Sequence, residues 1–177
     1  EDYFAFFVKS QIIDNRPSKE DDSVADERLM MVYQTKDGEF HITSPAKFID
    51  LHTPTDFTKP IDPPEVIDTD QVIQWSFEKI TIQQFEDTKA HITKDAEDRR
   101  GYLETAFTQV IMDLQMSIQE LQGKVLLTDN KSAQEKIFKK QERINELIQK
   151  KQARLQTLDL MTQLSPKAPE ILGCAYV

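Results

Sequence analysis

Residues 103–125 read LETAFTQVIMDLQMSIQELQGKV, and this stretch decides the fold. Leu103, Phe107, Val110, Leu114, Ile118, Leu121 and Val125 follow one another at steps of four, three, four, four, three and four. Such steps lay one apolar stripe along a helix, and the pattern predicts a secure helix from Ala90 to Leu127. Upstream, Asp68-Thr69-Asp70 supplies an N-cap with acid in the first turn. The β-branched section from Val72 to Phe85 leaves open whether that start is continuous with the long helix. Downstream, 128–132 (TDNKS) predicts a turn, followed by a second helix from Ala133 to Leu164. Its apolar side carries Ile137, Ile144, Leu147, Ile148, Leu155 and Leu158, a heptad-like seam. A connector this short makes the two helices antiparallel neighbours, with arms of about 30 residues or about 45 Å.

The chain on either side of the helices reads as β structure. Tyr3–Ile13 is dense in aromatic and β-branched residues and predicts a strand on a core. The acidic stretch Asp14–Asp26 predicts a loop. Leu29–Tyr33 and Phe40–Ile42 predict two strands joined through Lys36-Asp37-Gly38-Glu39, where Asp-Gly is a strong hairpin signal. Ser44-Pro45 starts a short helix through Leu51. His52–Pro64 holds Pro54, Pro60, Pro63 and Pro64 and predicts an extended connector anchored by Phe57 and Ile61. Ser165–Pro169 stops the second helix, and Glu170–Val177 returns as a strand. Tyr3, Phe4, Phe6 and Phe7 read as core, and Trp75, Phe77 and Phe85 as cover for the sheet. The expectation is an α+β fold, a small antiparallel β-sheet with a long antiparallel two-helix coiled-coil hairpin. Residues 1–67 form the β region and connector, 68–164 the hairpin (helices about 69–127 and 132–164), and 165–177 the returning strand.

Composition narrows the function. Of 177 residues, 38% are hydrophobic and 30% charged, a globular or coiled-coil balance rather than a disordered one. Four glycines leave little material for phosphate-cradling loops. The net charge of −9 is unevenly spread. Residues 1–70 carry seven Lys/Arg against sixteen Asp/Glu, whereas 131–177 carry nine against five. A basic end of this kind suits an acidic partner. Cys174 alone cannot form an internal disulfide and reads as a small buried side chain. No apolar run of about 18 residues offers a membrane span, and no signal segment opens the chain, so a cytoplasmic location is expected. The start at Glu1-Asp2 and the end at Ala175-Tyr176-Val177 read as the ends of an excised piece.

A search for catalytic residues comes back almost empty. His41, His52 and His91 lie at no ligand spacing from one another, so no metal is expected. Gly-rich phosphate loops, nucleophile elbows and zinc-protease helices are absent from the sequence. Asp21-Asp22 and the group Asp95, Glu97 and Asp98 read as solvated faces. The strongest signal is the basic side of the second helix. Lys139, Lys140, Arg143, Lys150, Lys151 and Arg154, preceded by Lys136, form a stripe able to follow a phosphate backbone or an acidic partner. The same stripe also fits an ordinary solubilising surface. Phe138 is its only aromatic neighbour, so base stacking has little support.

FAFFVKSQI near the start, RRGYLETAF at Arg99–Phe107 and SPKAPEILGCAYV at Ser165–Val177 give the chain a likeness to a known group. Their order resembles the region after the motor in prokaryotic Swi/Snf-like, superfamily-two helicases, and more distantly the bacterial RNA-polymerase recycling ATPase. The resemblance implies that the ATPase, with its ATP and Mg, lies upstream in a parent protein and that this stretch holds no cofactor. It implies a non-catalytic accessory domain that positions the motor on duplex DNA or docks a partner. The rival expectation is a structural coiled-coil module that self-associates or binds another protein.

Overall fold

Dense apolar and β-branched side chains make Phe4–Asp14 the central strand, β1, of a five-stranded antiparallel sheet. This is seen in the computed structural model, which describes residues 3–17, 23–35, 37–50, 68–128 and 131–176. β2 (Val24–Gln34) pairs along one side of β1, from Phe4 opposite Gln34 to Ile13 opposite Val24. β3 (Phe40–Thr43) flanks β2. The other side of β1 is shared by two strands from the far end of the chain. β4 (Leu164–Pro166) pairs with Ile12–Asp14, and β5 (Glu170–Tyr176) with Phe4–Lys9. The turn before β3 is closed by Gly38, whose φ of 84° suits glycine, and by Gly38 N–H on the Thr35 carbonyl at 2.9 Å.

Three expectations about this region are corrected. Val24, Ala25 and Asp26 belong to β2 rather than to a loop, because β1 continues far enough to pair with them. The second helix ends at Leu160, four residues early. Residues 164–166 are instead drawn into the ladder as β4, and the helix closes with Met161 N–H on the Leu158 carbonyl at 3.0 Å. Cys174 is exposed rather than buried, since β5 is an outer strand of the sheet. Pro45–Asp50 forms a 3-10 turn, with Phe48 edge-on to Phe7 at 5.0 Å between ring centres. The connector 52–64 with Phe57 and Ile61, His52, Leu51, Lys36, Asp21, Asp22, Asp129, Asn130 and Val177 lie outside the described residues.

The helical path starts at α1 (Thr69–Ser76), capped by the Asp68 carboxylate, which accepts from Asp70 N–H at 3.0 Å. It passes through a π-helical turn, Phe77–Thr81, into α2 (Ile82–Thr128) without a break. The wider turn is marked by Ile82 N–H bonding back to the Phe77 carbonyl. It inserts one extra residue, so that Ile80 and Thr81 are both buried. The core against the sheet is Phe6, Val8, Val32, Val72 and Ile80, with Phe4, Met30, Phe40, Trp75 and Ile171 at its edge. Trp75 meets Phe40 at 5.4 Å, but Phe77 and Phe85 are only half-buried. Beside Val72, the fully buried helical positions are the polar Ser76, Thr81 and Gln84.

Those polar side chains make a seam between sheet and helix. Ser10 and Thr81 hydroxyls lie 2.9 Å apart in the interior. Asp26 accepts from Gln84 Nε2 and from Thr88 Oγ1, each at 3.0 Å, and lies 3.3 Å from Arg28 Nε. Burial alone would push the Asp26 carboxyl up. The hydrogen bonds from Gln84 and Thr88 and the charge of Arg28 outweigh it and hold the carboxyl below its ordinary 3.8.

Residues 1–90 with 163–177 form one compact unit and 91–162 a second. The second holds the rest of α2 and α3 (Lys131–Leu160), and its buried apolar residues are Ala96, Ile118, Ala133, Leu147 and Leu158. Because the folded-state carboxyl of Asp26 sits below its unfolded value, its stabilisation is complete above about pH 4 and is lost as the pH falls further. Chemical denaturation of wild type and Asp26→Asn across pH 2.5 to 7 is expected, on that linkage, to show a stability gap at neutral pH that narrows below about 4.

Candidate binding surface of the helical unit

The buried side of α2 in the helical unit runs one residue differently from the predicted stripe. Leu103, Phe107, Leu114, Ile118, Leu121 and Val125 are at least half-buried, but Ile111 takes the place expected for Val110, which is 47% exposed. Both residues border the stripe at helical geometry, one on each flank. The flank carrying Val110 is the open one. From α3, Leu147 and Leu158 are buried, Ile137, Ile144 and Leu155 half-buried, and Ile148 exposed. The helices are joined where Arg100 pairs with Asp159, and where the Arg154 guanidinium lies 5.8 Å from the Phe107 ring centre.

The six basic residues do not form a single stripe. At about 100° per residue, positions 139, 143, 150 and 154 fall in a sector of about 60° on α3, and all four are exposed. Lys140 and Lys151 fall in the sector of Leu147 and Leu158 and are half-buried, their stems lying beside the seam. Arg143 is bound to Glu146 at 2.7 Å. Among the described residues, Lys139, Lys150 and Arg154 have no ion-pair partner.

A trough of about 510 Å³ adjoins this sector, lined by Arg99, Tyr102, Leu103 and Ala106 from α2 and by Arg154, Thr157 and Leu158 from α3. Sequence reasoning missed it. Arg99, Tyr102 and Ala106 share one helix side at steps of three and four, a signal visible in the sequence. Which part of α3 stands opposite them depends on the pairing register of the two helices, and a helical period does not carry that. Elsewhere the candidates stay apart. Tyr33 stacks on His41 at 5.1 Å, His91 is exposed, and Asp95 is engaged by Arg99 at 2.9 Å. Among the described residues, no group of three or more His, Cys, Asp or Glu could hold a metal ion, and no helix is long and apolar enough to cross a membrane.

No protein-family model matches the chain, and no curated protein and no solved structure matches it. The burial pattern of α2 has a direct test. Ile118→Ala is expected to cost about 2–4 kcal/mol, whereas Val110→Ala changes stability by less than about 0.5 kcal/mol. Helicity followed by circular dichroism during denaturation reads both.

Proposed function

We propose that this chain is a non-catalytic accessory module of an ATP-dependent DNA helicase or translocase in the cytoplasm. The sheet unit is its platform on the motor, and the helical unit is an arm laid along duplex DNA. The arm is read as an antiparallel hairpin with a coiled-coil seam, supported by the Arg100–Asp159 pair and by Arg154 over Phe107. ATP and Mg belong to the motor and not to these residues. The observation that carries the reading is the exposed cationic sector of Lys139, Arg143, Lys150 and Arg154, in which three of the four have no carboxylate partner among the described residues. Phosphates spaced along a duplex meet such a row as point charges, and each one neutralised releases condensed counterions. Lys140 and Lys151, beside the seam, contribute less. The charge of residues 1–70 turns the sheet unit away from DNA by the same electrostatics.

Duplex-DNA binding measured from low to moderate salt tests this. The double variant Lys139→Gln/Lys150→Gln is expected to bind more weakly at low salt and to lower the slope of log affinity against log salt by about 1.8, or about 0.9 for each phosphate no longer neutralised. A double variant that tracks the parent across salt removes the DNA role from this face.

A second reading rests on a separate observation. Met112, Met116, Phe138 and Ile148 are exposed apolar side chains on the helical unit, and such surface marks protein contacts. Under this reading the helices pair with a second copy. Sedimentation over a concentration series then gives a mass that rises with concentration, and a constant monomer mass rejects it.

A further inference from the structure

The trough beside the cationic sector has its own chemistry. Its floor is apolar, from Leu103, Ala106 and Leu158, while Arg99 and Arg154 stand at its rim. Tyr102 is 79% exposed there. The apolar row does not end at the trough: Tyr102, Ala106 and Val110 follow at steps of four along α2, which keeps them on one side of the helix. Arg154 reaches Phe107. Among the described residues, the guanidinium N–H groups of Arg154 have no acceptor, and Arg99 is held only by Asp95, in a solvent-exposed pair.

We propose that this trough docks an acidic amphipathic helix of a partner protein. Large apolar residues of that helix lie over Leu103, Ala106 and Leu158, and its carboxylates meet Arg99 and Arg154. The complement of an apolar row with a cationic border is an apolar row with an anionic border, the pattern of helix-in-groove recognition. Duplex DNA matches only half of it, because its phosphates gain nothing from the apolar floor. The site shares Arg154 alone with the DNA-facing sector and stands whether or not that sector binds DNA.

The probe is a synthetic helical peptide of about 18 residues, or five turns, with Leu on one face and Glu beside it. A scrambled peptide of the same composition is the control, and fluorescence anisotropy with the whole chain is the readout. The amphipathic peptide is expected to bind saturably and the scrambled one at least about tenfold more weakly. Ala106→Gln and Arg99→Gln, both at exposed positions, are each expected to weaken peptide binding about tenfold with helicity and the salt slope of duplex-DNA binding unchanged. Lys139→Gln/Lys150→Gln leaves peptide binding as it was, so a failed DNA face and a failed trough give different patterns. Equal binding of the two peptides overturns the proposal, as does wild-type peptide affinity in both trough variants. Trough variants that lose duplex DNA together with the peptide also overturn it, since the trough then belongs to a nucleic-acid surface.

Discussion

Everything in the sheet unit depends on β1 having a hydrogen-bonded neighbour on each side. β2 comes from the next part of the chain, but β4 and β5 come from its far end, so the core closes only when residues 164–176 return. The chain leaves the sheet unit after Ala90 and is back in it at Gln163. Departure and return are held at the same end of the strands. Thr88 donates to Asp26, and Asn15 N–H bonds to the Gln163 carbonyl at 2.8 Å, close to where Asp14 N–H meets Ser23. The helical unit is thereby an insertion between two strands of one sheet. Closing so long an excursion costs entropy that grows only slowly with its length, so the insertion can be long without undoing the sheet.

The seam that joins helix and sheet is more polar than a core of this size requires. Ser10, Ser76, Thr81 and Gln84 are all buried, and Ser76 Oγ and Gln84 Oε1 find no partner among the described residues. An unpaired buried polar atom costs about 1–3 kcal/mol. Asp26 offsets part of that by accepting from Gln84 and Thr88 across the sheet edge. The π-helical turn is what makes the arrangement possible, because the extra residue places Thr81 against Ser10 while Ile80 stays in the apolar core.

Much of this was legible in the residues. The aromatic run at the start, the Asp-Gly turn, the Asp68 cap and the apolar period of residues 103–125 are local signals, and each has its element in the structure. What was not legible depended on partners distant in sequence. Val24–Asp26 carry no strand pattern and become strand because β1 is there to pair with them. Leu164 reads as the last helical residue and Ser165-Pro166 as the helix stop, and all three become β4 for the same reason. Val110 and Ile111 satisfy the period equally well, and only their burial in the folded chain distinguishes them. The candidate surface was half legible in the same sense. The cations were visible, but the sorting of Lys140 and Lys151 toward the seam, and the trough itself, follow from the register between two helices.

The division of labour between platform and arm is tested most directly by hydrogen exchange on the whole chain, with and without duplex DNA at low salt. The account predicts slowed exchange confined to the α3 segment around residues 136–154 and its neighbours on α2, with the sheet amides unchanged. DNA that binds but protects the strands, and leaves that segment of α3 untouched, contradicts it.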